Sequence, residues 1–230
     1  MELLKRKVDK YLEGWFGIPN HKPLIINGAR QIGKTMSIRA FGKAHYESVV
    51  EMNFVLEEKY RSIFDDGYEV DTILKNISML NPKVKLIPGK TLLFFDELQK
   101  CPACATSLKS FCQDGRYDVI CSGSLMGIYY EEIESNAVGF KEDYQMHSLD
   151  FEEFLWAKGY SEEQVEDLYR HMDTLTPFSQ LEMDTLMGHF KDYMSIGGMP
   201  EVVAMFVRNG HFGGTLKLMR QLLKDYEEDI

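Results

Sequence analysis

Short apolar runs bounded by turn residues recur along the first 150 positions of the chain. They predict strands over residues 23–27, 48–55, 92–95, 117–124 and 143–150. Stretches with helical spacing lie between them, near residues 35–47, 57–64, 69–80 and 103–114. Several of the strands are apolar on both faces, which is typical of a parallel sheet covered by helices. We therefore predict a three-layer α/β fold with a parallel five-stranded sheet.

The pattern changes after Asp150, where helical spacing continues without further strands. Asp150 with Glu153, and Ser161 with Gln164, have the spacing of the capping box that begins helices. A stripe of apolar residues then recurs at helical spacing: Met183, Leu186, Met187, Phe190, Tyr193 and Met194. We interpret this stripe as core packing rather than as a ligand surface. The pattern divides the chain into a core domain, residues 1–150, and a helical subdomain, residues 151–230.

The segment LIINGARQIGKT, residues 24–35, carries the first candidate chemistry. It contains G-x-x-x-x-G-K-[ST] between a predicted strand and a predicted helix, which is the context that this phosphate-binding motif requires. Gly28 and Gly33 permit backbone conformations that let successive N–H groups converge on phosphate oxygens. We expect Lys34 to reach the β- and γ-phosphates of a nucleotide and the Thr35 hydroxyl to bind Mg²⁺. The expected nucleotide-binding residues are Gly28, Ala29, Arg30, Gln31, Ile32, Gly33, Lys34, Thr35 and Met36.

Two acidic residues, Asp96 and Glu97, directly follow the apolar run LLFF. Open α/β sheets bind their ligands at the carboxyl ends of the strands. We expect Asp96 to hold Mg²⁺ together with Thr35, and Glu97 to be the base that polarises the attacking water. The sequence therefore predicts two acids with different roles beside the same phosphates.

Two further segments are candidates for contact with the nucleotide. The segment CSGS ends a predicted strand that, in phosphate-loop ATPases with an Asp-Glu pair, lies beside the phosphate-loop strand. Ser122 or Ser124 then lies near the γ-phosphate, with Ser124 as the catalytic candidate, and a plain Ser-Gly turn is the alternative. In the segment GGMP, Gly198 and Pro200 suit a break followed by the first turn of a helix.

Net charge and hydropathy argue against some partners. The chain has 230 residues and a formal net charge of −10, which opposes sequence-independent binding to nucleic acid or to an anionic membrane. Its first ten residues carry charges unlike a signal peptide, and no apolar stretch approaches the roughly 20 residues that cross a bilayer. We therefore expect a cytoplasmic protein without a membrane partner.

Four cysteines lie close together in the sequence: Cys101, Cys104, Cys112 and Cys121. Cys101 and Cys104 have the Cys-x-x-Cys spacing of half a zinc site. Cys112 and Cys121 lack that spacing and fall on different predicted elements. Reduced structural thiols are therefore the favoured interpretation, with a zinc site and a redox pair as alternatives.

The quoted motifs together resemble those of prokaryotic AAA+-related ATPases allied to the archaeal and signal-transduction (STAND) NTPases. The resemblance extends to YLEGW, VICSGSLMG, LDFEEFL and YMSIGGMPEVV, and its most specific parts are GSLMG, FEEFL and GGMPE. It implies a P-loop NTPase fold of the ASCE type followed by a helical lid. It also implies Mg²⁺-dependent ATP hydrolysis, with Lys34, Thr35, Asp96 and Glu97 at matching positions.

The resemblance has further implications for single residues. It implies that Gly198 and Pro200 let the lid contact the nucleotide, and that Arg6 lies beside the adenine. Many relatives have a basic residue directly after the Val-Gly of a Pro-Val-Gly motif, whereas here Phe140 precedes Lys141. Whether Lys141 replaces an arginine finger is open, and slow hydrolysis is expected. Members usually continue into a C-terminal nuclease-like domain, so we expect the sequence to be truncated.

Three hypotheses of function follow. The first is an ATPase that binds ATP or ADP and whose hydrolysis drives a conformational change of the lid. The second is a nucleotide-dependent switch or scaffold with slow hydrolysis, which acts through a homo-oligomer or a protein partner. The third is a DNA-associated ATPase that contacts nucleic acid only through the missing C-terminal domain. The lack of a guanine-reading Asn-Lys-x-Asp motif favours adenine.

Overall fold

A computed structural model of the chain describes residues 4–124 and 137–228. These residues divide into two compact units. The first, residues 8–146, is called the α/β unit, and the second, residues 4–7 together with 147–228, is called the helical unit. The quoted motif GSLMG runs beyond the described residues, since its last three positions are 125–127.

The α/β unit contains one parallel sheet with the strand order β2-β3-β4-β1-β5. Its strands are β1 (Leu24–Asn27), β2 (Ser48–Asn53), β3 (Thr91–Asp96), β4 (Asp118–Gly123) and β5 (Glu142–Gln145). The predicted parallel five-stranded α/β fold is confirmed. Because β4 lies between β3 and β1, the strand with the acidic pair and the strand before the phosphate loop are separated by one strand.

The helices follow the predicted alternation. They are α1 (Lys7–Phe16), α2 (Lys34–His45), α3 (Val70–Leu80), α4 (Pro102–Asp114), α5 (Phe151–Ala157), α6 (Glu162–Asp173), α7 (Gln180–Ile196), α8 (Pro200–Asn209) and α9 (Thr215–Glu227). Two 3₁₀ helices cover Glu58–Phe64 and Leu98–Lys100. The helix expected near 57–64 is therefore a 3₁₀ helix. None of the helices in the described parts of the chain is long and apolar enough to cross a membrane.

The inner strand β3, which lies between β2 and β4, is buried along its whole length, which explains its uninterrupted apolar run. Phe95 of this strand stacks on Phe54, with ring centroids 5.9 Å apart, and also contacts Phe64 and Phe111. The edge strand β5 alternates between half-buried and exposed positions instead. This burial holds the carboxyl end of β3 in a fixed place, because close-packed aromatic rings leave a strand little freedom to shift.

Three of the four cysteines lie in this core. Cys101, Cys104 and Cys121 are buried free thiols, and Cys112 is half-buried. Burial raises the pKa of Cys101 to about 11, which disfavours the thiolate that binds metals or reacts. Within residues 4–124 and 137–228, no three His, Cys, Asp or Glu side chains are grouped so that they could hold a metal ion.

The helical unit uses the capping boxes that the sequence predicts. The Asp150 side chain accepts a hydrogen bond from the N–H of Glu153, and Ser161 accepts one from Gln164, each with the reciprocal bond. A third box, Ser179 with Glu182, begins α7. Each box supplies acceptors for N–H groups in the first turn, which have no partner within the helix.

The interpretation of the methionine-rich stripe as core packing is wrong for most of its members. Met183, Met187, Phe190 and Met194 are 44%, 44%, 42% and 67% exposed. Leu186 and Tyr193 are half-buried, and the buried residue of α7 is Ile196. These three lie on another face of the helix, which packs inside the unit, and the Tyr193 hydroxyl donates to the Leu149 carbonyl at 2.9 Å.

Candidate functional site

The loop between β1 and α2 has a backbone that requires glycine at both motif positions. A β-carbon on Gly28 would lie 2.3 Å from the Met146 carbonyl oxygen and 2.6 Å from a methyl group of Ile32. Gly33 has φ of 98°, in the left-handed region that favours glycine. The non-glycine residue Gln31 also has a positive φ, 60°. The loop therefore needs glycine for two distinct physical reasons: the close approach of neighbouring atoms at Gly28 and the positive φ at Gly33.

The loop leads directly into the first turn of α2. Gly33 is the N-cap residue, and no side chain among the described residues caps this helix. The first N–H groups of a helix have no partner within it, and the helix dipole adds partial positive charge there. Such an N-terminus is suited to bind a phosphate group.

Lys34, the first residue of α2, folds over the loop that precedes it. Its ammonium donates to the carbonyl of Gly28 at 2.9 Å and to that of Ala29 at 2.6 Å. Burial lowers the pKa of Lys34, while the negative charges of Glu97 and Asp96 act in the opposite direction. The Lys34 ammonium therefore lies within electrostatic reach of both acids.

Asp96 is buried at the carboxyl end of β3 and accepts hydrogen bonds from four directions. The Thr35 hydroxyl donates at 3.3 Å, the Asn53 amide at 3.0 Å and the N–H of Glu97 at 3.1 Å. The Ser122 hydroxyl also donates to this carboxylate. Hydroxyl and carboxylate oxygens are the ligands that Mg²⁺ and Ca²⁺ prefer, so Thr35 and Asp96 form a suitable pair for a hard divalent cation.

Glu97 follows with a left-handed backbone, φ 62° and ψ 47°. Its side chain is half-buried and accepts a hydrogen bond from the Gln99 amide at 2.5 Å. The structure thus brings together the phosphate loop, Lys34, Thr35 and both acids at the carboxyl edge of the sheet. This arrangement can bind a polyphosphate and offer a carboxylate to a water molecule.

A sequence profile described as AAA domain matches residues 20–155 of the chain. This match covers more than half of the chain and includes the whole site. The chain belongs to the AAA domain family. Members of this family are in general P-loop ATPases, which agrees with the phosphate loop and the acidic pair.

Several solved structures are similar to this chain. Drosophila ORC bound to DNA is 14% identical, with a TM-score of 0.49, and the match covers 87% of this chain and 58% of that chain. C. elegans PCH-2 is 12% identical, with a TM-score of 0.42, and the match covers 73% of this chain and 49% of that chain. The Pif1 helicase from Candida albicans is 12% identical, with a TM-score of 0.44, and the match covers 74% of this chain and 48% of that chain. The chain thus spans about half the length of these structures. No curated protein matches the sequence.

The AAA domain contains site residues that sequence reasoning missed. Asn53, at the end of β2, pairs in register with Asp96 and donates to its carboxylate. Its own side-chain oxygen accepts from the N–H groups of Val55 and Leu56, which holds the amide in one orientation. Gln99 was missed as well. The available signal for Asn53 was a polar residue at the carboxyl end of a predicted parallel strand, since such ends share one edge of the sheet.

The two serine candidates of the AAA domain differ in their surroundings. Ser122 is fully buried, and its hydroxyl donates to Asp96. Ser124 is half-buried, directly after β4, and its N–H donates to the Gln99 side-chain oxygen at 3.3 Å. Lys141, the candidate replacement for an arginine finger, forms an ion pair with Asp143.

The remaining predicted residues lie in the helical unit. Arg6 is buried, and its guanidinium donates to Glu153 at 3.1 Å and to the His147 carbonyl at 2.7 Å. A β-carbon on Gly198 would lie 2.0 Å from the Leu149 carbonyl oxygen. Pro200 is buried in the first turn of α8. Arg6, Gly198 and Pro200 therefore each have a structural role within this unit, whatever they contribute to nucleotide binding.

Proposed function

We propose that the AAA domain of this chain binds ATP and hydrolyses it with Mg²⁺. The observation that carries the proposal is the contact between the Thr35 hydroxyl and the Asp96 carboxylate, with Lys34 and Glu97 as their sequence neighbours. It joins the end of the phosphate loop to the acidic pair at one edge of the sheet. General membership of the AAA domain family supports the same activity.

The residues present fit both a nucleotide and a magnesium ion. The loop has no room for a β-carbon at Gly28 and is left-handed at Gly33. No side chain of the described residues caps the N-terminus of α2, so its N–H groups can bind a phosphate. Thr35 and Asp96 supply the oxygen ligands that Mg²⁺ requires. When bound, Mg²⁺ neutralises charge that develops on the transferred phosphoryl group.

Each residue then has a distinct role in the reaction. The Lys34 ammonium binds the β- and γ-phosphate oxygens and stabilises their charge, in exchange for its bonds to the loop carbonyls. Glu97 accepts the proton of the attacking water, or orients that water, while Asp96 remains a ligand. The Asn53 and Ser122 donors keep the Asp96 carboxylate in place, which is the usual task of groups that bind a metal ligand.

The finer assignments are part of the same proposal. The resemblance to prokaryotic AAA+ and STAND-related ATPases favours ATP over GTP. It also favours a lid role for the helical unit, with a lid conformation that depends on the bound nucleotide. Within that proposal, residues 1–150 form the ATPase core and residues 151–230 the lid. Gly198 and Pro200 make the contact of the lid with the nucleotide, Arg6 lies near the adenine, and Ser124 contacts the γ-phosphate.

A second candidate function is a nucleotide-dependent switch with slow hydrolysis. The ion pair of Lys141 with Asp143 favours it, because this ammonium is engaged within its own segment. A lysine also lacks the planar fork with which an arginine finger binds phosphate oxygens. Under this hypothesis hydrolysis resets the switch, and a partner supplies the missing cation.

Thermal unfolding and turnover test the first proposal. Mg²⁺-ATP at about 100 times its dissociation constant should stabilise the protein by about 2.7 kcal/mol, and GTP should stabilise it less. The variant Glu97→Gln should keep this stabilisation and lose steady-state hydrolysis by at least about 100-fold. The variant Glu47→Gln is the control, because Glu47 is an exposed residue that pairs with Lys90.

The outcomes separate the two candidates. Normal hydrolysis by Glu97→Gln would show that Glu97 is not the base. Strong ATP stabilisation combined with negligible turnover of the unaltered protein, and a change of oligomeric state with ATP, would favour the switch. Equal and negligible stabilisation by ATP, ADP and GTP would contradict nucleotide binding itself.

A further inference from the structure

One peptide group connects the phosphate loop with the residue next to the proposed base. The carbonyl oxygen of Gly123 accepts a hydrogen bond from the N–H of Gly28 at 3.3 Å. The N–H of Ser124, in the same peptide group, donates to the side-chain oxygen of Gln99 at 3.3 Å. A peptide group is planar, so its carbonyl and N–H move together as one rigid unit.

The other end of the Gln99 amide reaches Glu97. Its Nε2 donates to Glu97 Oε2 at 2.5 Å. The 3₁₀ helix Leu98–Lys100 makes this contact possible, because it turns the chain directly after Glu97 and is anchored by the buried side chain of Leu98. Gln99 therefore bridges the base carboxylate and the end of β4.

The two neighbours of Gln99 leave its amide one orientation. A backbone N–H such as that of Ser124 only donates, and an ionised carboxylate such as that of Glu97 only accepts. Oε1 of Gln99 must therefore face Ser124 and Nε2 must face Glu97. No other side chain of this length presents one acceptor and one donor in that order without a charge.

We infer that Gln99 is a positioning residue that couples the base Glu97 to the phosphate loop through the Gly123–Ser124 peptide group. This inference rests on the proposed ATPase function. Gln99 holds one oxygen of the Glu97 carboxylate. It therefore limits the rotamers of Glu97, whose own backbone is left-handed. The Gly123–Ser124 peptide group is itself hydrogen-bonded to Gly28, so Gln99 and the Glu97 carboxylate keep one position relative to the phosphate loop.

The coupling acts on turnover rather than on affinity. Gln99 touches neither the phosphate loop nor Lys34 through any hydrogen bond found among the described residues, so ATP binding does not depend on it. Loss of an orienting contact costs rate because a small misplacement of a catalytic group slows the reaction strongly. We therefore expect a lower kcat with an unchanged dissociation constant for ATP.

The test compares two substitutions at residue 99, one control variant and one double variant, all in the whole chain. Gln99→Met keeps the length of the side chain and removes both hydrogen bonds. Gln99→Glu retains an acceptor for Ser124 but loses the donor and repels Glu97. Gln113→Ala is the control, because Gln113 is an exposed glutamine of α4. The double variant, Gln99→Met combined with Glu97→Gln, closes a double-mutant cycle.

Gln99→Met and Gln99→Glu should each lower kcat by about 10- to 100-fold, with the ATP dissociation constant and thermal unfolding midpoint near those of Gln113→Ala. The double variant should hydrolyse ATP no more slowly than Glu97→Gln alone, since Gln99 acts through Glu97. Normal kcat in Gln99→Met, a proportionate loss of ATP binding, or an additive loss in the double variant would each overturn the inference.

Failure of the proposed function gives a different result. In that case the unaltered protein and Gln113→Ala do not hydrolyse ATP, or Glu97→Gln hydrolyses it normally. If the unaltered protein is active and Glu97→Gln is not, a normal Gln99→Met variant refutes the role of Gln99 alone.

Discussion

The Thr35 hydroxyl lies 3.3 Å from a carboxylate oxygen of Asp96, although 61 positions separate the two residues in the sequence. Thr35 lies in the first turn of α2, which follows β1, and Asp96 ends β3. The strand β4 lies between these two strands and contributes Ser122, whose hydroxyl also donates to Asp96. The strand order therefore assembles the site from three parallel strands whose carboxyl ends share one edge.

Lys34→Ala should weaken ATP binding by at least about 10-fold, because it removes charge-assisted hydrogen bonds to phosphate oxygens. The control is Lys43→Ala, since Lys43 is an exposed residue near the other end of α2. Titration with a fluorescent ATP analogue measures both affinities. Equal affinities for the two variants would contradict the role of Lys34.

Asp96→Asn should raise the Mg²⁺ concentration needed for half-maximal hydrolysis by at least about 10-fold, because a charged oxygen ligand becomes a neutral one. Affinity for ATP without Mg²⁺ should change little. Asp71→Asn serves as the control, since Asp71 is an exposed residue that pairs with Arg116. An unchanged Mg²⁺ requirement would argue that Asp96 does not bind the metal.

Gly28→Ala should destabilise the protein by about 1–3 kcal/mol, because the added methyl group meets backbone atoms that cannot move aside alone. Gly14→Ala in α1 is the matched control, since nothing lies within 4 Å of its β-carbon position. It should stabilise α1 by about 0.5–1 kcal/mol. Urea unfolding followed by circular dichroism measures both, and a stable Gly28→Ala protein would rule out the close approach to Met146.

Gly198→Ala should likewise lower the unfolding midpoint in the absence of nucleotide. Its β-carbon would overlap the Leu149 carbonyl, and the Leu149 N–H donates to the Gly198 carbonyl at 2.7 Å. Gly188→Ala, in the middle of α7 with open space around its β-carbon, should be neutral or stabilising. If Gly198→Ala reduced ATP binding and left the midpoint unchanged, the close approach of Gly198 to Leu149 would not be the reason why this position needs glycine.

His21 and Asp118 predict a pH dependence of stability in the α/β unit. Their side chains form an ion pair at 3.0 Å, an interaction without well-aligned hydrogen-bond geometry, and the Tyr46 hydroxyl donates to Asp118 at 2.7 Å. Burial alone would lower the pKa of His21, but Asp118 and the Ile18 carbonyl outweigh it and raise the pKa above 6.5. Burial alone would raise the pKa of Asp118, but the adjacent His21 imidazole and the hydrogen bond from Tyr46 outweigh it and lower the pKa below 3.8.

The stabilisation by His21 is therefore complete below its unfolded pKa of about 6.5 and is lost as the pH rises through its folded value. The stabilisation by Asp118 is present above about pH 4, and it is lost as the pH falls through the pKa of Asp118 in the folded protein. The unfolding midpoint should thus decrease as the pH rises above about 6.5, by about 2–4 °C for each kcal/mol lost. His21→Gln should remove this decrease, and a parallel decrease in both proteins would assign it to other groups.

Local signals in the sequence determined much of this protein. The apolar runs, the glycines of the phosphate loop, the acidic pair after β3 and the capping boxes each depend on residues within a few positions of one another. Their physics is that of the backbone and of nearby side chains, so a single sequence displays it. The parallel sheet and the main site residues could therefore be predicted.

The tertiary structure alone decided which distant residues meet. Asn53 and Gln99 join Asp96 and Glu97 only because the strand order and a 3₁₀ turn bring them together. Residues 4–7 belong with the helical unit, where the Arg6 guanidinium donates to Glu153 across 147 positions. The exposed methionines of α7 have the same spacing as a buried stripe, because periodicity shows that a helix has an apolar face and not what covers it.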